Sequence, residues 1–187
     1  PNFWPMDPLL KMAFIHYQLE AIQPFAEGSG RTARVVNNLY LVQQGLLPHP
    51  LPSISSYIVK HRFRYYQAMD KVTSENNWND WLLYNLAAVA DTAKKTTVQV
   101  KQLLALRETM NDELQKALGA SYKPELLPLL FDSPYIKIES LEKKEIAHRQ
   151  TASTWFKKMV QAGIILEQRR GRTLYFINDR LIELLTA

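Results

Sequence analysis

Gln23-Pro24-Phe25-Ala26-Glu27-Gly28-Ser29-Gly30-Arg31-Thr32-Ala33-Arg34 joins two stretches of helical apolar spacing. Before it, Leu9, Leu10, Ala13, Phe14, Tyr17 and Ala21 mark one face of a helix that Asp7 caps and Pro8 opens. After it, Val35, Val36, Leu39, Tyr40 and Val42 mark a second helix over 31–44, with Gly45 as its stop. Pro24 ends the first helix and biases Gln23 toward an extended backbone. The glycines around Ser29 let a loop bring backbone N–H groups close to an anion, and the following helix turns its positive end to the same place. Arg31 and Arg34 lie one turn apart at that helix start, so both can face the anion. Glu27 supplies a carboxylate for a magnesium ion that bridges phosphates.

The twelve residues resemble the signature of the Fic family, His-Pro-Phe-x-(Asp/Glu)-Gly-Asn-Gly-Arg-x-x-Arg. Ten positions fit, and Gln23 and Ser29 depart, standing where the family has His and Asn. The resemblance implies transfer of AMP from ATP to a hydroxyl on a target protein. By it, position 23 is that of the general base, Glu27 the metal ligand, and Arg31 and Arg34 the phosphate holders. The backbone of Gly28, Ser29 and Gly30 is the anion cradle, and the cofactors are ATP and Mg2+. A carboxamide is too weakly basic to take the hydroxyl proton, and loss of general-base catalysis removes roughly 10²–10⁴-fold in rate. The cradle does not depend on that imidazole. The expectation is therefore a nucleotide-binding site with impaired chemistry, so the chain's standing as an enzyme is left open. Ser29 keeps a hydroxyl but loses the reach of an amide.

The stretch Tyr65-Tyr66, then Asn77-Trp78-Asn79-Asp80-Trp81-Leu82 and Leu86, also resembles the later helices of larger Fic proteins, to about Ala117. A helix capped by Ser53 is expected to turn Ile54, Tyr57, Ile58, Phe63, Tyr66 and Met69 inward. In the family several helices precede the signature, and here only about 22 residues do. The resemblance thus implies that the first helices of the domain, with the flap that docks the target, are missing. The apolar surface left behind makes self-association into a homo-oligomer an expectation.

The composition shifts at 119–124. Beyond it come a short apolar helix over 126–131, an extended stretch over 135–138, and short helices over 141–146 and 149–159. A hairpin follows from Ile164 to Ile177 with a polar turn near Gly171, then a last apolar segment from Ile182 to Leu185. Helix–turn–helix followed by a hairpin is the winged-helix order. The fold expected is mainly α, with a partial Fic-like helical domain over 1–118 and a winged helix-turn-helix domain over 123–187. Ile146 to Ser153 resembles the start of a winged-helix recognition helix, and Ala162-Gly163-Ile164-Ile165 the step into its wing. In such a module Arg149 and Gln150 read base edges, Thr151 and Ser153 bond phosphates, and Arg169, Arg170 and Arg172 hold backbone phosphate or the minor groove. A DNA-binding transcriptional regulator, with the Fic part as a dimerisation remnant, is the alternative reading. The competing bland reading of each charged or aromatic run is a solvated helix face or a core.

The remaining composition excludes several classes. The chain has 187 residues, 47% of them hydrophobic, which is enough for a real core. No apolar run reaches the roughly 18–20 residues of a membrane span, so no membrane partner is expected. Pro1-Asn2-Phe3-Trp4-Pro5 does not read as a leader. There is no Cys, which fits a reducing cytoplasm. His16, His49, His61 and His148 show no zinc spacing. The net charge of +5 is spread thinly, with 12 basic and 10 acidic residues before Lys123 and 11 and 8 from there on. Bulk charge therefore does not by itself argue for nucleic acid.

Overall fold

The computed structural model describes residues 6–51 and 53–186. The reading of Pro1 to Pro5 as no leader lies outside them. The chain divides into two compact units, Pro1–Thr97 and Val98–Ala187.

In the first unit, Asp7 accepts the Leu9 N–H at 2.8 Å and starts helix α1, Pro8–Ile22. Helix α2 spans Ser29–Gln43, two residues earlier at its start than the apolar spacing suggests, so Gly30 is helical rather than part of the loop. Gly45, at φ 71°, follows its end. Helices α3, Ser55–Lys60, and α4, Arg62–Glu75, meet at His61, and helix α5 begins at Trp78 and runs to Leu118. The first core gathers Ala13 and Tyr17 of α1, Tyr65, Ala68 and Val72 of α4, and Trp81 and Tyr84 of α5. Trp81 is fully buried, and its indole N–H donates to the Ala13 carbonyl at 2.8 Å. Phe63 and Tyr66 are not inward as expected; they are 79% and 50% exposed. The inward phase runs from Ile54 through Tyr57 and Ile58 to Tyr65, Ala68 and Val72, and the 3.6-residue period puts Phe63 and Tyr66 on the outer side.

In the second unit, the end of α5 packs its Met110, Leu114 and Leu118 against α6, Leu126–Asp132. Strand β1, Tyr135–Ile136, helix α7, Ile138–Lys143, and helix α8, Arg149–Gln161, follow. Strands β2, Leu166–Arg170, and β3, Thr173–Ile177, form the hairpin, with Gly171 at φ 58° in its turn. Arg169 and Arg170 thus belong to a strand, not to the turn. The sheet is antiparallel in the order β1-β3-β2, and helix α9, Asp179–Thr186, closes the chain. Phe156 of α8 stacks on Phe176 of β3 at 4.1 Å in the centre of this core. Among the described residues no helix is long and apolar enough to cross a membrane.

Candidate functional site

The loop between α1 and α2 is built around two left-handed residues. Gln23 is one, at φ 45° and ψ 61°, rather than extended. Pro24 forbids the right-handed region to it, and its N–H still closes α1 by donating to the Leu19 carbonyl at 3.2 Å. A left-handed conformation meets both demands, at a cost of about 1–2 kcal/mol for a residue with a Cβ. The second is Gly28, at φ 86°, which precedes the first turn of α2 and offers no side-chain cap to its N–H groups. Ser29 is buried, and its hydroxyl donates to the Phe25 carbonyl at 3.1 Å while accepting the Phe25 N–H at 3.3 Å. The hydroxyl is therefore spent on closing the loop.

Gly28 and Gly30 are glycines for different reasons. Gly28 needs its positive φ. A Cβ there would lie 3.3 Å from Nη2 of Arg31, whose guanidinium folds back over it. Gly30 has no positive φ; it needs space. A Cβ on Gly30 would meet Oε1 of Glu20 at 2.7 Å and Nη1 of Arg34 at 3.3 Å. Each arginine thus lies over one of the two glycines, Gly28 of the loop and Gly30 of the first turn of α2, and neither is in an ion pair among the described residues. Gln23 and Glu27 are exposed on the same loop. Uncapped N–H groups, two free guanidiniums and an exposed carboxylate suit a polyphosphate.

Glu27 belongs to no group of three or more His, Asp or Glu that could hold a metal among the described residues. One carboxylate fits magnesium that arrives with phosphate oxygens, since that ion keeps to one or two protein carboxylates plus phosphates. It does not fit an all-protein cage.

Beneath the loop lies a polar cluster that the sequence reading missed. His16 is fully buried. Asn37 of α2 donates from Nδ2 to His16 Nδ1 at 2.5 Å, which leaves the proton on Nε2. Nε2 faces the Tyr65 hydroxyl at 2.8 Å and Glu20 Oε1 at 3.7 Å. Burial first, and the Arg34 guanidinium second, push the His16 pKa down to about 4. The ring is therefore neutral, and its approach to Glu20 is not an ion pair. Burial first, then the Glu20 carboxylate, hold the Tyr65 phenol protonated. The signal available in the sequence was a His and a Glu four apart, interrupting the apolar face of α1.

In the second unit, Arg149, Gln150 and Thr151 are exposed at the start of α8. The Arg149 N–H donates to Glu142 Oε1 at 3.1 Å, so an acid of α7 already covers that helix end. Arg169, Arg170 and Arg172 are exposed, but the hairpin register separates the first two. Arg169 pairs across from Leu174, on the face that carries Phe176 toward α8. Arg170 pairs across from Thr173 on the opposite face, where Lys137 Nζ lies 4.9 Å above the Tyr175 ring.

Two family models match the chain. Residues 2–41 match the Fic/DOC family, and residues 106–181 match the C-terminal domain of SoFic-like protein adenylyltransferases. Among curated proteins, the chain is 27% identical over 120 residues to protein adenylyltransferase fic-1 of Caenorhabditis elegans, covering 64% of this chain and 21% of that protein. It is 39% identical over 64 residues to its Caenorhabditis briggsae counterpart, covering 34% of this chain and 11% of that one. It is 31% identical over 91 residues to protein adenylyltransferase Fic of Drosophila ananassae, covering 49% and 16%. The chain thus spans about a fifth or less of the length of these relatives.

Proposed function

From the match of residues 2–41 to the Fic/DOC family, we propose that residues 23–34 are a nucleotide site of the adenylyl-transfer type, with its chemistry impaired at position 23. The observation that carries this reading is the two guanidiniums of Arg31 and Arg34, in no ion pair among the described residues and folded over Gly28 and Gly30 beside the uncapped start of α2. In this reading the N–H groups of that turn and the two arginines hold the phosphates of ATP, and Glu27 faces the magnesium that accompanies them. Transfer requires the oxygen of a target hydroxyl to attack the α-phosphorus as pyrophosphate leaves, and a base to take the hydroxyl proton. Gln23 offers only a carboxamide, which orients a hydroxyl but does not accept its proton. His16 does not replace it, being fully buried and engaged by Asn37 and Tyr65. The site therefore binds Mg-ATP and transfers AMP slowly or not at all.

Calorimetric titration with Mg-ATP tests the binding. Arg31→Ala is expected to weaken it about tenfold or more, the worth of one charge-assisted hydrogen bond. No binding at millimolar nucleotide by either protein refutes the site. Labelled ATP with a cell lysate tests the chemistry. Gln23→His is expected to raise labelling of protein, and labelling that is strong already and survives Gln23→Ala refutes the role given to position 23.

A second reading is favoured by one observation in the other unit. Arg149, Lys157, Lys158, Arg169, Arg170 and Arg172 are exposed, and none is in an ion pair among the described residues. We read the α7, α8 and hairpin segment as a winged helix that holds DNA through phosphates, on the face shared by α8 and Arg169. Arg169→Ala is then expected to lower the log–log salt slope of duplex binding by about one, and Arg170→Ala to leave it unchanged. Equal effects of the two refute this face. Exposed Ile22, Phe25, Val35 and Leu39 in the first unit are the surface we assign to self-association.

A further inference from the structure

We propose that Glu20 is a specificity-determining residue of the loop, selecting polyphosphates that carry a divalent cation over the bare polyanion. This rests on the nucleotide reading above and adds to it the charge class of the ligand. The sequence shows Glu20 only as one polar residue near the end of α1. The fold carries it to the phosphate side, where its Oε1 stands 2.7 Å from the point a Gly30 Cβ would occupy and Arg34 Nη1 stands 3.3 Å from that same point. The side chain is only 14% exposed, so solvent screens its charge poorly.

Among the described residues no Lys or Arg is in an ion pair with that carboxylate. His16, 3.7 Å away, is neutral, because it accepts from Asn37 and lies in a fully buried position beside Arg34. Tyr65 donates rather than ionises. Arg34 faces Glu20 across Gly30 without reaching ion-pair distance, so it keeps donors for a ligand. The absence of a side chain at Gly30, which no backbone angle demands, is explained by this carboxylate. A fixed negative charge behind the first turn of α2 repels an incoming polyanion in proportion to the ligand's charge. ATP without metal carries about twice the negative charge of Mg-ATP, so it is repelled about twice as strongly in free energy. Arginines alone would favour the more highly charged form; the Glu20 carboxylate works against that preference.

The test is calorimetric titration of the protein and of Glu20→Gln with Mg-ATP and, separately, with ATP in excess EDTA. The variant keeps the shape of the side chain and removes its charge. Mg-ATP affinity is expected to rise about threefold and metal-free ATP affinity about tenfold, the second factor being the square of the first because the ligand charge doubles. A change of equal size in both affinities, or a fall in both, overturns the proposal, since a purely structural role moves the two together. If circular dichroism shows Glu20→Gln misfolded, Glu20→Met removes the same charge at similar length, with the same expectations. Failure of the unaltered protein to bind either form overturns the nucleotide reading, and this inference with it. Binding of both forms with an unchanged ratio in the variant overturns this inference alone.

Discussion

Protonation of His16 is the most direct handle on the first unit. In the unfolded chain its imidazole titrates at about 6.5, and in the folded protein burial and Arg34 lower that to about 4. The unfolded state therefore binds more protons between these values, and stability falls as pH falls through this window. The contribution is fully present above about pH 6.5 and fully lost below about pH 4. At about pH 5 the loss from this residue alone is about 2 kcal/mol, and the full window is worth about 3 kcal/mol, by linkage. His16 is fully buried, so no allowance for solvent is needed. The assay is urea unfolding at neutral pH and at about pH 5, followed by tryptophan fluorescence with Trp155 replaced by Phe, so that the signal comes from the first unit, where the Trp81 ring lies 5.5 Å from the imidazole. Carboxylates also titrate, so the comparison is with His16→Gln. The variant is less stable at neutral pH, and it lacks about 2 kcal/mol of the acid-induced loss. An identical pH dependence in the two proteins refutes the buried neutral ring.

Gln23→Gly is expected to stabilise the first unit by about 0.5–1 kcal/mol, read as a higher melting temperature. It relieves the left-handed strain of a residue with a Cβ while adding freedom to the unfolded chain. Phe156→Ala is expected to cost the second unit about 3–5 kcal/mol in urea unfolding, because it empties a fully buried ring site. A cost under about 1 kcal/mol there would contradict the stacked contact with Phe176.

The local chemistry of turns and caps was readable in advance. Asp7-Pro8 opens α1, Gly45 stops α2, and the polar turn at Gly171 places the hairpin within its strands. Each of those residues acts on backbone within two or three positions of itself, so its effect is written in its neighbours. The signature stretch stood out for the same reason, and Arg31 and Arg34 lie beside Gly28 and Gly30 respectively. Side-chain partnerships across the fold were not readable. Nothing near His16 in sequence announces Asn37 or Tyr65, 21 and 49 residues away. Glu20 and Gly30 likewise explain one another only once α1 and α2 are packed. Phe63 and Tyr66 misled because their apolar character outweighed their phase. Gln23 misled because the proline rule says what is forbidden, while the closing bond to Leu19 decides what is left.

That closing bond has a consequence for how such a protein changes over time. The backbone at position 23 is held by Leu19 and Pro24, and the Gln23 side chain stands in solvent. The chemical group at that position is therefore a detachable tool on an unaltered handle. Exchanging it needs no compensating change in the helices on either side, and histidine is among the residues that enter the left-handed region most readily. On the function proposed above, catalytic power at this position can be surrendered or regained by one substitution while the scaffold is inherited intact.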